Sequence, residues 1–374
     1  MSSSSGDHVS LPADQFRALF PALRTLAWLD TPACCPLAEP VRACLQKVLA
    51  SWSDGIADLD EWDGAAPRAC ARLASWLNVA PASVAAVGSV AEGAAAIAAG
   101  LPPGRIIVGD NEFRSNLLPW LAMDQQRNPV TRVATRDGVL HSQDLAAAVS
   151  DDTVLVAVSE VLSSDGARQD LPLLRQACDA TGARLLVDAT QSLGVLRPFT
   201  AADYLIAHGY KWLLCPRGAG FLVAKPARYT ELRPPLPSWK TGIQQSYFGG
   251  SYELAADAGR VNTSPAWLPW LAAEESLTLL GDLHQPDVER HCLRLARTAR
   301  AGAEELGYSI VTPAPPGDSH ILTVRIKDPA RVSDALTACA VRAKLLPGRV
   351  RVGFHYFNDD SDVSRFLLAL RTAR

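Results

Sequence analysis

The chain reads as an α/β protein, with a large domain on a mainly parallel seven-stranded sheet and a smaller α+β domain after it. Two observations predict this. Seven short apolar runs alternate with helical patterns between residues 83 and 224, as strands buried on both faces of a helix-covered sheet must. From about Pro265 the pattern changes to long helices followed by short strands.

The elements follow in chain order. Ser83–Gly88 is the first run, and an alanine-rich stretch behind it, ending near Gly100, reads as a helix. Arg105–Asp110, Val130–Val133 and Thr153–Ser159 are further runs rich in β-branched residues. Leu171–Ala180 reads as a helix ahead of Thr181-Gly182. The runs Arg184–Asp188 and Asp203–Ala207 come next, and Gly218–Ala224 reads as a strand returning after them. Helices over Trp267–Leu283 and Asp287–Leu306 then precede strands at His320–Arg325 and Arg349–Phe354 and a final helix from near Asp362 to Arg374. Ala335–Ala340 reads as an apolar helix holding Cys339, and the proline-rich stretches Arg233–Pro237 and Pro313–Gly317 are loops. The division is an N-terminal segment 1–25, a large domain 26–265 and a small domain 266–374.

Composition narrows the function. With 48% apolar and 20% charged residues and a net charge of −3, the chain has the make-up of a soluble globular protein. It carries no basic stripe with interleaved aromatics, so nucleic acid is not an expected partner. The start, Met1–His8, is polar and unlike a signal peptide, and no apolar stretch is long enough to span a membrane, so the expected location is the cytoplasm. Eight cysteines are scattered without metal-ligand spacing; no metal site is expected, and most read as small apolar fillers in a reducing compartment.

The informative segment is Ile206-Ala-His-Gly-Tyr-Lys-Trp212, followed by Pro216-Arg-Gly-Ala-Gly220. Upstream, an apolar run ends in Asp188-Ala-Thr-Gln191, so Lys211 follows the acid by 23 residues. Such an arrangement suits pyridoxal 5′-phosphate: the lysine holds it as a Schiff base, and a buried carboxylate keeps its ring nitrogen protonated. Asp188-x-x-Gln191 with His208-x-x-Lys211-Trp212 resembles the class V aminotransferase family of fold-type I pyridoxal-phosphate enzymes. That family includes cysteine desulfurases, isopenicillin N epimerase-like proteins and C–S lyases. The likeness runs from Trp28-Leu-Asp-Thr-Pro-Ala33 to Arg351-Val-Gly-Phe-His-Tyr-Phe-Asn358.

The resemblance implies roles. Asp188 would pair with the ring nitrogen and Gln191 would donate to the phenolic oxygen. Ser89, Val90 and Ala91, where relatives carry a hydroxyl-rich turn, would meet the phosphate, with only Ser89 keeping a hydroxyl; a helix cap is the plainer reading of that serine. His208 is a second phosphate candidate. Thr263 is a third, on a segment that in relatives reaches the neighbouring subunit, which implies a homodimer. Phe113 stands where relatives stack a residue on the ring. Phenylalanine can stack but cannot move a proton, and a core phenylalanine is the competing reading. Arg351 matches the arginine that binds an amino-acid carboxylate, while Arg342 and Arg349 read as surface charges.

The substrate implied is therefore an α-amino acid or close derivative. The stretch before Arg351 is too short to carry the cysteine-bearing loop of cysteine desulfurases, and Cys339 reads as structural. The expected reaction is β-elimination from a cysteine S-conjugate, a C–S lyase of specialised sulfur metabolism. Alternatives are an aminotransferase, a decarboxylating deaminase of an S-substituted cysteine, or a non-catalytic regulator on the same fold. Trp239, Tyr247, Tyr252, Trp267 and Trp270 either wall the substrate pocket or pack the core.

Overall fold

The computed structural model describes residues 11–244, 246–314 and 318–374. Met1–His8 and part of the loop expected at Pro313–Gly317 lie outside the described residues.

Strand β1 (Ala27–Trp28) precedes the large sheet. The sheet holds β2 (Val84–Val87), β3 (Arg105–Gly109), β4 (Val130–Val133), β5 (Thr153–Ser159), β6 (Arg184–Asp188), β7 (Tyr204–His208) and β8 (Gly220–Ala224). Their order is β2-β8-β7-β6-β5-β3-β4, and β8 alone runs opposite to the other six. The expected mainly parallel seven-stranded sheet is what the chain forms. Apolar clusters lie on both of its faces, which is why the strands read as unbroken apolar runs rather than as alternation.

The C-terminal part carries a three-stranded antiparallel sheet, β11-β12-β9, from β9 (Ile321–Arg325), β11 (Lys344–Leu346) and β12 (Arg349–Gly353). Strand β10 (Val341–Arg342) pairs in parallel with β1, so a segment near the start of the chain completes this region. Helices Gln285–Glu305, Pro329–Ala338 and Asp360–Thr372 cover it. Cys339 is the C-cap of the second of these rather than an interior residue, because Ala340 takes a positive φ of 52° and turns the chain out of the helix. The helix Trp267–Gly281 belongs with the large sheet, packing on the helix Leu59–Leu77 and on Phe221 of β8 through Trp270.

Candidate active site

Strands β6 and β7 end side by side at Asp188 and His208, at the carboxyl edge where parallel sheets gather ligands. Lys211 follows in the turn between β7 and β8. That turn is pinned at its base: Gly209 donates to Ala219 O at 2.9 Å and accepts from Cys215 N at 3.0 Å. A Cβ at Gly209 would lie within 3.0 Å of both partners, so the tie leaves no room for a side chain. Lys211 is thereby held at 4% exposure. Burial pushes its ammonium down to about 8, Arg351 and Arg217 add to the shift, and the Asp188 carboxylate opposes it. Asp188 is equally buried and accepts from Thr190 N at 2.9 Å; burial raises its pKa against the Thr190 hydrogen bonds and the Lys211 charge.

Two rings flank the amine. Lys211 Nζ lies 5.3 Å from the Phe113 centroid and 5.4 Å from that of Tyr210. Phe113 is 49% exposed, which excludes the core reading and leaves a ring standing over the site. Tyr210 was not anticipated.

A small inner pocket beside Lys211 is lined by Asp188, Gln191, Ser89, Val90, His208 and Arg217. Ser89 caps the helix Val90–Gly100, its Oγ accepting from Glu92 N at 3.2 Å, so the plainer reading holds in this structure. Glu92 itself accepts from Gly88 N at 2.9 Å and from Thr263 Oγ1 at 3.2 Å. Ala91 and Thr263 do not line the inner pocket; Thr263 faces a separate groove with Asp63 and Lys240. His208 Nε2 accepts from Gly218 N at 3.2 Å, and burial holds the ring near 4, so it is neutral at pH 7 with its one proton on Nδ1. Arg217, unmarked by sequence reasoning, makes no ion pair among the described residues and rests on the Tyr210 ring at 5.2 Å.

The inner pocket opens into a cleft of about 630 Å³ that shares Phe113, Ser163, Tyr210 and Lys211 with it. Arg351, on β12, borders this cleft at 6% exposure. Its Nη1 donates to Ser163 O and, at 3.0 Å, to Ser163 Oγ, and Nη2 stands 4.0 Å from Asp30. Its Nε is buried without a partner among the described residues, a cost that a bound carboxylate would remove. The residues after Arg351 prove to be braces: His355 Nε2 donates to Trp212 O at 3.0 Å, and Asn358 Nδ2 donates to Trp28 O and to Asp362. Gln191 is another brace. Its amide donates to Pro32 O and Ser163 Oγ and accepts from Trp212 Nε1 at 2.8 Å, so both donors expected for a cofactor oxygen are engaged by the protein.

Other expectations need correcting. Arg349 lines the cleft rather than the outer surface, with Lys344 and Arg114. The aromatic group does not wall it: Trp270 packs on Phe221, Trp267 on Trp62, and Trp239 on Tyr247, whose hydroxyl donates to Asp63. Cys34 is exposed, and contact with the Cys35 thiol lowers it to about 6; it lies in a neighbouring groove with Tyr210 and Arg217. Glu112, which no sequence pattern marks, is buried in the cleft wall and pushed up to about 7 by that burial, although Ser159 N donates to it at 2.6 Å. Among the described residues no helix is long and apolar enough to cross a membrane, and no cluster of His, Cys, Asp or Glu could hold a metal ion.

Residues 60–366 match the family model for "Aminotransferase class-V". The chain belongs to that family, the class V aminotransferases among the fold-type I pyridoxal-phosphate enzymes. Similar members include the uncharacterized aminotransferase YcbU of Bacillus subtilis, 26% identical over 368 residues covering 94% of this chain and 95% of that one. A probable hercynylcysteine sulfoxide lyase of Mycobacterium tuberculosis is 33% identical over 154 residues, 40% of this chain and 38% of the other. In fold, the apo cysteine desulfurase of Thermococcus onnurineus NA1 superposes with a TM-score of 0.84 over 99% of this chain and 98% of that one, at 20% identity. The residues present fit the family's cofactor. A buried amine and a buried carboxylate face one pocket, an aromatic ring stands over the amine, and the Arg217 guanidinium, without an ion pair among the described residues, lines the same pocket.

Proposed function

We propose that the chain is a pyridoxal 5′-phosphate-dependent C–S lyase that removes a thiol from a cysteine S-conjugate. The observation that carries this reading is the convergence on one cleft of a buried, easily deprotonated Lys211 and an Arg351 whose Nε awaits a partner. Lys211 would hold the cofactor covalently, Asp188 would face its ring nitrogen, Phe113 would stack on its ring, and Ser89, His208, the backbone at Val90, and Arg217 would surround its phosphate. When bound, the cofactor withdraws electrons from the substrate's Cα.

The chain's own residues do the rest. Arg351 grips the substrate carboxylate with Ser163 fixing its guanidinium, which orients Cα toward Lys211. With its pKa near 8, a useful fraction of Lys211 Nζ is unprotonated at neutral pH and can take the Cα proton. The C–S bond then breaks, the thiolate leaves, and hydrolysis gives pyruvate and ammonia. Phe113 offers no proton to the departing sulfur, so the lysine is the group placed to return one. The likeness to a probable sulfoxide lyase supports the reading, as does the lack of any cysteine among the residues bordering the cleft. The reading includes a homodimer in which Thr263 reaches the partner's phosphate.

The test is incubation of the cofactor-loaded protein with cysteine S-conjugates and plain amino acids. Thiol, pyruvate and ammonia should appear in equal amounts from the conjugates. A keto acid without thiol would make the enzyme an aminotransferase, and carbon dioxide would make it a decarboxylating deaminase.

A further inference from the structure

Beyond the grip of Arg351, the cleft continues outward between three more cations. Lys344, Arg349 and Arg114 border it, and none makes an ion pair within 4.0 Å among the described residues. The placement of Lys344 and Arg349 is set by backbone register. Lys344 of β11 sits directly opposite Arg351 of β12, and Arg349 lies two residues before Arg351. Opposed residues and residues two apart share one face of a sheet, so all three project from the face away from the small-domain core. The alternate residues, Val350 and Val352, are fully buried in that core with Leu322 and Val324. Like charges placed directly opposite across strands destabilise a sheet, so the array costs the empty protein stability.

Few neighbouring acids offset it. Glu112 is the only acid among the residues bordering the cleft, and Ser159 and Asn116 already hydrogen-bond to it. Asp30 stands 4.0 Å from Arg351 and also faces Lys344, and Asp165 lies near Arg349, so these two carboxylates offset part of the charge, but neither borders the cleft itself. Every α-amino acid brings one α-carboxylate, and the buried Arg351 Nε is the group that lacks a partner for it. The remaining positive charge faces the space a side chain would fill.

We infer that the substrate carries a second acidic group on the far side of its sulfur, held by Lys344, Arg349 and Arg114; this rests on Arg351 taking the α-carboxylate. The preferred conjugates are those whose S-substituent ends in a carboxylate or comparable anion, and substituents bearing a cation are repelled.

The direct comparison is S-carboxymethylcysteine against its uncharged isostere S-carbamoylmethylcysteine, with the cofactor-loaded enzyme. The acid should show a kcat/KM about ten-fold or more above the amide, the difference lying in KM. In Lys344→Met and in Arg349→Met that ratio should fall toward one. Lys344 is exposed and Arg349 half-buried, so neither truncation opens the core. Thiol release from both compounds at equal kcat/KM would overturn the second-anion inference and leave the lyase reading standing. Release from neither would remove the lyase reading, and binding then decides the inference alone. Calorimetry should find glutarate bound about ten-fold more tightly than butyrate by the wild type, and no such difference in Lys344→Met; equal affinities in the wild type would overturn it.

Discussion

A lysine that gives up its proton near pH 8 behaves unlike one on a surface. Unfolded, Lys211 holds its proton to about 10.5; folded, only to about 8. Between those values the unfolded chain binds more protons, so the lysine's contribution makes the apoprotein more stable as pH rises through that window. Capture of the cofactor by apoprotein should accelerate with pH and level off just above 8, followed by stopped-flow absorbance. Asp188→Asn removes the carboxylate that raises the lysine's pKa, so the midpoint should move below that of the wild type. The same change should cut turnover by on the order of 10²-fold or more, because it deletes a charge aimed at the reacting system. Lys211→Ala should leave no cofactor attached at residue 211 after borohydride reduction, read by peptide mass; an adduct elsewhere with normal turnover would overturn the assignment. At the phosphate end, Arg217→Met should weaken pyridoxal 5′-phosphate roughly ten-fold and leave pyridoxal almost unaffected. Equal losses for both would mean that Arg217 acts on the fold instead.

At the scale of elements, the large sheet was legible because burial on two faces writes itself as runs of apolar residues. Strands β1, β10 and β11, two or three residues long, have no pattern to write, and β1 finds its partner more than 300 residues away. Lys211 and Asp188 were legible from their spacing. Arg349 was not, although its signal was present: two residues before Arg351 on a strand, it had to share that residue's face. Ser163 and Arg217 depend on how loops fold back, which local pattern does not encode. One loop depends on a glycine. Gly194 has φ +111°, and a Cβ there would sit 2.3 Å from the Trp212 carbonyl oxygen. Gly194→Ala should therefore destabilise the fold by roughly 1–3 kcal/mol, seen as a lower urea midpoint. It should also disturb Lys211, since that carbonyl follows the lysine and accepts from His355.

Across the whole molecule, the start of the described chain is stitched to its far end. Arg17, on the helix Ala13–Ala18, makes a bidentate pair with Asp362 at 2.8 and 3.0 Å and donates to Phe357 O. Asp362 is fully buried and also receives Asn358. Arg17→Met would leave that carboxylate without its cation, at a cost of about 3 kcal/mol, near the lower end for buried pairs because Arg17 is partly exposed. A thermal melt should shift down accordingly, while Arg17→Lys should recover part of the loss. The site is divided along the chain in a related way. Asp188, His208 and Lys211 lie on the carboxyl edge of the large sheet, and Arg351 comes from β12. The residues grouped around the lysine are encoded between Ser89 and Arg217, and the arginine set against them lies more than 130 residues further on, in the other sheet. A change confined to the C-terminal sheet can therefore re-aim one wall of the cleft while the lysine's own surroundings stay as they are, so the two halves of the site are open to separate variation.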